Sequence, residues 1–580
     1  MSDPLGGFRL DLRRVELATG ILRRGYSVRA LDRFAAVDSA TAAIAAGFGL
    51  AAPSDPIADV STASPVAYRL YDEGLRAYYR YDEPATYQLM TAALREDSSF
   101  AMAAFYAWRV GRNVDPSHGP ELQARAQRLA PRAAARERLL ILGMIGIQRE
   151  DPAALAPAES LAIRYPSDPD GQRLYGEVQQ TRGDFAAAIA AYARAFTLDS
   201  AASLAPAAEC RACTTLQRTI GAYITWDSVP AAERAVLQWE RFRPGAPEPV
   251  FMLAELRWRG QRWADGAAAL ARADSLSTNP ADYQAARMRA AVRRAQYDEA
   301  GRMAAVTMRD PDRNRRTEAR WVWLIALRNQ GRLHEAAGLL DDGRLPGGDP
   351  YEPATFDRDE ITGAILASES GLHAEAIRRF RAVVAKASAI TEPGHRARGM
   401  TWNLTHAAVA YAASGDTASV HRIADSVEAI GPASLFGRSS RLHFFLRGLV
   451  LASAGRHAEA VDAYRRAVYS WSDGYTRINY ELARSLIALG HPREVLPPLR
   501  AALRGGIDGS NLYLTRTELH EMMARAFAAA GERDSARVHY REVTAAWAHA
   551  DPQFADRMGS ASAWTAANGR EIRTARAGPR

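Results

Sequence analysis

The 580-residue chain has very little lysine, and it has no long hydrophobic run. Lys386 is the only lysine, so arginine carries nearly all of the positive charge behind the formal net charge of +8. A nucleotide-binding P-loop requires a Gly-Lys pair, and a protein kinase requires a lysine together with a Gly-rich loop and a catalytic Asp loop. Lys386 lies in AVVAKAS with none of these around it, so both classes are excluded. No stretch reaches the length of a membrane span.

Cysteine is nearly absent too, and the only two cysteines, Cys210 and Cys213, form a C-x-x-C pair in ECRACTTL. A structural zinc site needs four ligands, and neither a second C-x-x-C nor a nearby histidine is present. A thioredoxin-like centre needs a strand before the pair, whereas the surrounding sequence has helical periodicity. Two interpretations remain. We favour buried reduced thiols, and the alternative is a local disulfide in an oxidising compartment.

The first residues have a pattern that differs from the rest of the chain. Apolar positions alternate in FRLDLRRVEL (8–17) and GILRRGYSVR (20–29), which predicts a β-hairpin with its turn at ATG. ALDRFAAVDSATAAIAAGFGL (30–50) has helical spacing and two glycines near its end, which predicts a helix. A single hairpin is marginal by itself, and its edges are unpaired. It is therefore expected to need more sheet than this segment provides.

RRVELATGILRRGYSV and the following DRFAAVDSATAAIAAGFGL resemble the last hairpin and helix of the TolB-like α/β domain of bacterial signalling proteins. The resemblance implies that residues 1–50 are a remnant of that domain. Residues 51–65 are rich in Ala, Ser, Pro and Asp, and this composition predicts a linker.

The remainder of the chain contains an internal repeat of about 34 residues. In the stretch 168–200, small residues and one tyrosine recur at helical spacing on either side of a Gly-Asp turn. The same skeleton returns at 440–472 and 518–548. Its key positions in the first two stretches are Gly176, Gly183, Ala188, Tyr192 and Ala195, and then Gly448, Gly455, Ala460, Tyr464 and Ala467.

These units resemble the tetratricopeptide repeat (TPR). The resemblance implies an all-α, TPR-type α-solenoid, a right-handed superhelix of helical hairpins, preceded by the short β-hairpin and helix. We expect about a dozen units over 66–557, drifted in 104–150 and 204–246, and an unstructured basic tail over 558–580. The close of the array also resembles arrays attached to bacterial Ser/Thr kinases and cyclases.

A TPR superhelix lines its concave groove with the first helix of each unit, and arginines with aromatics are what peptide-binding grooves use. A Lys/Asn clamp for a terminal carboxylate is not reproduced. The predicted groove residues are Arg173, Glu177, Phe251, Glu255, Arg259, Arg289, Arg293, Trp321, Arg328, Phe445, Leu449, Tyr480 and Arg484.

Catalytic motifs are not found. His334-Glu335 and His520-Glu521 begin like a zinc-protease motif but lack the second histidine, and no G-x-S-x-G elbow occurs. We therefore predict a non-enzymatic scaffold for protein–protein interaction in bacterial signal transduction. It is expected to be cytoplasmic, with no cofactor, metal or small-molecule substrate, and to bind a protein or peptide rather than nucleic acid. The alternative is the regulatory half of a kinase, cyclase or transcription regulator whose output domain is encoded upstream.

Overall fold

The computed structural model describes residues 7–16, 18–31, 33–49, 62, 64–201, 209–278, 283–341, 356–507 and 513–568. The chain forms two compact units, Met1–Leu142 and Gly143–Arg580. Within the ranges that the structure describes, no helix is both long enough and apolar enough to cross a membrane.

The first unit begins with a β-hairpin. Strand β1 (Phe8–Val15) pairs antiparallel with β2 (Leu22–Ala30), and helix α1 (Arg33–Gly47) packs on them. Gly20 has a φ of +69° in the turn, a conformation that glycine adopts without strain. The predicted hairpin and helix are thus confirmed as local structure. The assignment of 1–50 to a TolB-like domain stays a prediction.

Helices form most of the first unit that is described from Ser64 onward. Ser64, at the end of the predicted linker, caps the first of them by accepting a hydrogen bond from the Ala67 backbone N–H at 3.2 Å. The linker residues 51–61 and 63 lie outside the described residues. The helices are α2 (Pro65–Tyr79), α3 (Glu83–Glu96), α4 (Ala101–Val114), α5 (Gly119–Leu129) and α6 (Ala135–Gln148), the last of which continues into the second unit.

The regular structure of the second unit is helical throughout the residues that are described. Its helices pack, for the most part, against the helix that follows them in the chain. They are α7 (Leu155–Arg164), α8 (Pro169–Arg182), α9 (Phe185–Ala201), α10 (Arg211–Thr225), α11 (Val229–Phe242), α12 (Pro247–Arg259), α13 (Trp263–Leu276), α14 (Gln284–Arg293), α15 (Tyr297–Thr307), α16 (Arg313–Asn329), α17 (Leu333–Asp341), α18 (Phe356–Glu369), α19 (His373–Ser388), α20 (Pro393–Ala413), α21 (Thr417–Ile430), α22 (Leu442–Ser453), α23 (His457–Ala467), α24 (Arg477–Ala488), α25 (Leu496–Arg504), α26 (Arg516–Ala529), α27 (Arg533–Ala546) and α28 (Ala555–Asn568).

This architecture confirms the predicted all-α α-solenoid class. The drifted region 204–246 still forms a regular pair, α10 and α11, because its apolar spacing is kept where the sequence motif is lost. The prediction of an unstructured tail is wrong for 558–568. Helix α28 covers these residues and packs Trp564 against Tyr540 of α27, with ring centroids 4.9 Å apart. Residues 569–580 lie outside the described residues.

Candidate interaction surface

Two of the predicted repeat glycines lie directly against the predicted repeat tyrosines. A Cβ atom at Gly176 would lie 2.5 Å from Cε1 of Tyr192, and one at Gly448 would lie 2.4 Å from Cε1 of Tyr464. Both rings are fully buried. The missing side chain of one helix thus makes room for the aromatic ring of the next. The fold is that of a tetratricopeptide-repeat array. In each TPR unit the first helix ends in a tight turn, and the second helix is followed by a longer connection to the next unit.

Most of the predicted groove residues contact the chain itself. Five of them are buried: Arg173, Arg293, Trp321, Arg328 and Phe445. Trp321 and Phe445 pack in the hydrophobic core between TPR helices. These five side chains do not line an open groove, because the positions chosen by repeat register face neighbouring helices.

The buried arginines are paired with groups from later helices. Arg173 Nη1 donates to Asp199 Oδ2 at 2.9 Å and to Thr215 Oγ1 at 2.7 Å. Arg328 Nε donates to Glu369 Oε2 at 3.0 Å, and a second guanidinium nitrogen contacts the other carboxylate oxygen. These hydrogen-bonded ion pairs therefore join different helices of the array.

The other predicted residues are less buried and also have partners. Arg484 is exposed, Leu449 and Tyr480 are half-buried, and Phe251 stacks on Tyr283 with centroids 4.8 Å apart. The ion pairs are Glu177 with Arg218 at 3.0 Å, Arg484 with Glu481 at 2.9 Å, Arg293 with Glu255 at 4.0 Å, and Arg289 with Glu318.

Arg259 and Arg293 take part in a long internal interface, which we name the turn seam. Here the tight turns of the earlier TPR units meet the connections of the later ones. The turns are 148–150, 180–183, 224–227, 259–261, 293–295 and 329–332, and the connections are 431–441, 468–476, 503–507, 513–517 and 550–551.

Backbone groups make the first contacts of the seam. The Leu435 N–H donates to Glu150 O at 2.6 Å, and the Gly437 N–H donates to Thr181 O at 2.9 Å. The Tyr469 hydroxyl donates to Gln180 O at 2.8 Å. Backbone oxygens at the ends of these earlier helices thus accept hydrogen bonds from groups in the later half of the array.

Ion pairs hold the centre of the seam. Arg259 Nη1 donates to Asp473 Oδ2 at 3.0 Å, and Arg504 Nε donates to Asp227 Oδ1 at 2.9 Å. Arg293 Nη1 donates to Gly505 O at 3.0 Å. The Arg259 contact joins residues 214 apart in sequence, so repeat register alone could not have identified it.

Asn329 anchors the far end of the seam. Its Oδ1 accepts from the Arg516 N–H at 2.9 Å, and its backbone oxygen accepts from Thr517 Oγ1 at 2.7 Å. The Asp551 N–H donates to Gly331 O at 3.0 Å. The array therefore already binds irregular segments of polypeptide through backbone hydrogen bonds and arginines.

Cys210 and Cys213 are joined by a disulfide. Cys210 is the N-cap of α10 and Cys213 lies in its first turn, so both side chains lie on one face with Cα atoms 5.3 Å apart. Both residues are buried. Our preference for reduced thiols is wrong in this structure, and the alternative of a local disulfide is the one observed. Across the described ranges, no three His, Cys, Asp or Glu side chains form a metal-binding group.

A histidine pair lies beside the seam. Nδ1 of His520 is 2.9 Å from Nδ1 of His539, and both rings line a cavity of 820 Å³ with Arg500 and Glu542. Burial, and secondarily the charge of Arg500, lowers the pKa of His539 to about 4, and burial lowers the pKa of His520 well below its usual value. Both rings are neutral at pH 7, so one Nδ1–H donates the hydrogen bond and the other Nδ1 accepts it. The backbone N–H of His334 donates to Asp551 Oδ2 at 2.9 Å, at another place in the seam.

Neither a family model nor a curated protein matches the chain. Solved structures do match, at low identity. The Cut9–Hcn1 hetero-tetramer of APC/C is 12% identical with a TM-score of 0.28, covering 86% of this chain and 97% of that one. A tetratricopeptide repeat protein from Parabacteroides merdae is 12% identical with a TM-score of 0.27, covering 50% and 99%. Naa15/Naa10 bound to HypK-THB is 12% identical with a TM-score of 0.24, covering 87% and 80%.

Proposed function

We propose that this chain is a non-enzymatic scaffold that binds a protein partner in bacterial signal transduction. The TPR fold supports the proposal because a stack of helical hairpins offers a long surface for protein contacts. The observation that carries it is a pair of exposed tryptophans in the turn seam, Trp226 and Trp471.

These two side chains lie on neighbouring segments. Ser472 Oγ donates to Ile224 O at 3.3 Å, and Ser470 Oγ donates to Thr225 O, so the segments that carry the tryptophans are hydrogen-bonded together. Trp226 is 51% exposed and Trp471 is 37% exposed. Exposed tryptophan is costly in water and is enriched at the centres of protein interfaces.

The charged surroundings suit the rim of such an interface. The ion pairs Arg259–Asp473 and Arg504–Asp227 flank the tryptophan segments. Paired charges around an apolar centre exclude water from the contact without leaving a buried unpaired charge. Tyr480 and Arg484, which keep exposed surface among the predicted groove residues, stay part of the proposed binding surface.

The test is affinity purification of the tagged chain from the cells that produce it, with cross-linking to map the contacts. We expect one partner to be cross-linked next to the tryptophan segments. Replacing both indoles, Trp226→Ala with Trp471→Ala, should weaken binding of the purified partner at least tenfold, since interface tryptophans contribute about 2 kcal/mol or more each.

Leu372→Ala is the matched control, because Leu372 is 59% exposed but lies in the turn before α19, away from the tryptophan segments. It should leave binding unchanged. Equal binding by the tryptophan double variant and the wild type would contradict the proposed surface. Recovery of no protein partner at any salt concentration would contradict the scaffold function.

The disulfide bears on where the scaffold operates. Disulfides persist in oxidising compartments and are rare in the cytosol. We therefore propose an extracytoplasmic location in place of the cytoplasmic one that the sequence suggested. Mass spectrometry of the chain isolated under thiol-blocking conditions should show Cys210 and Cys213 linked. Blocked free thiols at both positions would contradict the extracytoplasmic location and support a cytoplasmic one.

A second candidate is the regulatory half of a bacterial kinase, cyclase or transcription regulator. The observation that favours it is the β1–β2 hairpin, which has no third strand among the residues described. Its outer edges could complete a larger sheet. A neighbouring reading frame that encodes an output domain would support this candidate. Absence of such a reading frame would contradict it and leave the scaffold function as the remaining proposal.

A further inference from the structure

A second cavity, of 560 Å³, lies between α18, α19 and α20 and the connection before α22. This volume is within the usual range for small-molecule sites. One wall is apolar, formed by Ile361, Val383, Ala387 and Ile390. Trp402 and Tyr513 also line the cavity, and the indole N–H of Trp402 donates to the Tyr513 hydroxyl oxygen at 2.9 Å.

Arg438 lines this cavity without a charged partner. Its guanidinium carbon is 3.5 Å from the centroid of Trp402 and 4.8 Å from that of Phe436. Over the described part of the chain its guanidinium makes no ion pair or hydrogen bond, and its buried Nε has no acceptor. Burial, and then the charge of Arg398, lowers the pKa of Arg438 to about 9. The group is still charged at pH 7, and a charge without a partner is costly in this half-buried site.

The other basic side chains of the cavity already have partners. Lys386 Nζ lies 2.7 Å from Glu360 Oε1, and Arg398 pairs with Glu150. Nε2 of His395 donates to Gln148 O at 2.7 Å. Arg438 is therefore the charge in this cavity that an incoming anion would neutralise.

Asn403 contributes an acceptor to the same cavity. Its Nδ2 donates to Gly399 O at 2.9 Å, which leaves Oδ1 buried with no donor from the described residues. An unsatisfied buried polar atom costs about 1–3 kcal/mol, and a ligand that satisfies it recovers that cost. The cavity, lined by apolar and aromatic side chains, thus has one unfilled cationic donor on Arg438 and two unfilled acceptors, Asn403 Oδ1 and Glu150 Oε2.

We propose that this cavity binds a small organic carboxylate that has a flat apolar body and a hydrogen-bond donor. The carboxylate would pair with Arg438, whose stacking on Trp402 holds the guanidinium plane in place. The donor would meet Asn403 Oδ1, and the body would fill the space among the apolar and aromatic side chains. This ligand is additional to the protein partner proposed above. It is not a substrate, because it binds without reacting, and so it is distinct from the small-molecule substrate that the sequence-based expectation ruled out.

Isothermal titration of the full chain with 4-hydroxybenzoate and indole-3-acetate tests the proposal. Both acids should bind saturably with a Kd below about 1 mM. Their neutral counterparts, methyl 4-hydroxybenzoate and indole-3-acetamide, should bind at least tenfold more weakly. Benzoate, which lacks the donor, should also bind more weakly than 4-hydroxybenzoate.

Arg438→Met should weaken binding of both acids at least tenfold, and Asn403→Leu should abolish the advantage of 4-hydroxybenzoate over benzoate. Arg447→Met is the control, because Arg447 pairs with Glu428 and Asp425 outside the cavity. If Arg438→Met does not fold, the comparison of acids with neutral counterparts in the wild type decides the same point.

The proposal is overturned if neither acid binds saturably, if the acids and their neutral counterparts bind equally, or if Arg438→Met binds like the wild type. Displacement of both acids by equimolar inorganic phosphate would also overturn it, since that result indicates a simple anion site. None of these measurements depends on the protein partner, so a failed partner search would leave the result of the titrations standing.

Discussion

Arg328→Met should destabilise the centre of the TPR array by about 3–5 kcal/mol, because it leaves Glu369 without its cation in a nearly buried site. The side chain of Arg328 is fully buried and that of Glu369 is 13% exposed. The guanidinium joins the end of α16 to the end of α18 and so links two successive units. Native-state hydrogen exchange of the α16–α18 amides is the appropriate measurement, because long repeat arrays do not unfold in one step.

Two further variants separate loss of the pair from loss of packing. Arg328→Met with Glu369→Leu should recover most of the stability, because replacing a buried ion pair by apolar side chains is often neutral. Arg302→Met is the matched control, since Arg302 pairs with Glu299 on the exposed surface and should contribute less than about 1 kcal/mol. An equal loss in the single and double variants would show that the arginine acts through packing alone.

Gly448→Val should destabilise α22 and α23 by about 3 kcal/mol, near the upper end of the usual cost of overpacking. The new Cβ would lie 2.4 Å from Cε1 of Tyr464, whose ring is fully buried and has no room to move. Amide exchange of α22 and α23 and the thermal midpoint of the far-ultraviolet circular dichroism should both report the loss.

The same substitution at Gly338 is the control for the helix propensity of valine. A Cβ at Gly338 would meet nothing within 4 Å, so Gly338→Val should change stability by less than about 1 kcal/mol. Gly448→Val with Tyr464→Ala should lose less than the sum of the two single variants, because the second change removes the clash. Additive losses would contradict the close glycine–tyrosine contact.

Sequence periodicity determined the TPR fold and its glycine–tyrosine contacts. Gly176, Tyr192, Gly448 and Tyr464 were identified as repeat positions by register alone, and each glycine contacts its tyrosine because residues within one helical hairpin are close in sequence. The same local logic predicted the N-terminal hairpin and the helical surroundings of the cysteine pair. It favoured two thiols over the disulfide, which was wrong, because that choice depends on the distance and direction of two side chains at a helix start.

Tertiary structure alone decided what the predicted groove residues do. Arg259 reaches Asp473 and Arg293 reaches Gly505 because the later connections pack against the earlier turns, and no repeat pattern encodes a contact between such distant units. The unpaired Arg438 is likewise an outcome of packing, since only the folded chain shows which arginines find a carboxylate. Local spacing specifies each hairpin, whereas the meeting of distant hairpins determines which charges are paired and which can bind a ligand.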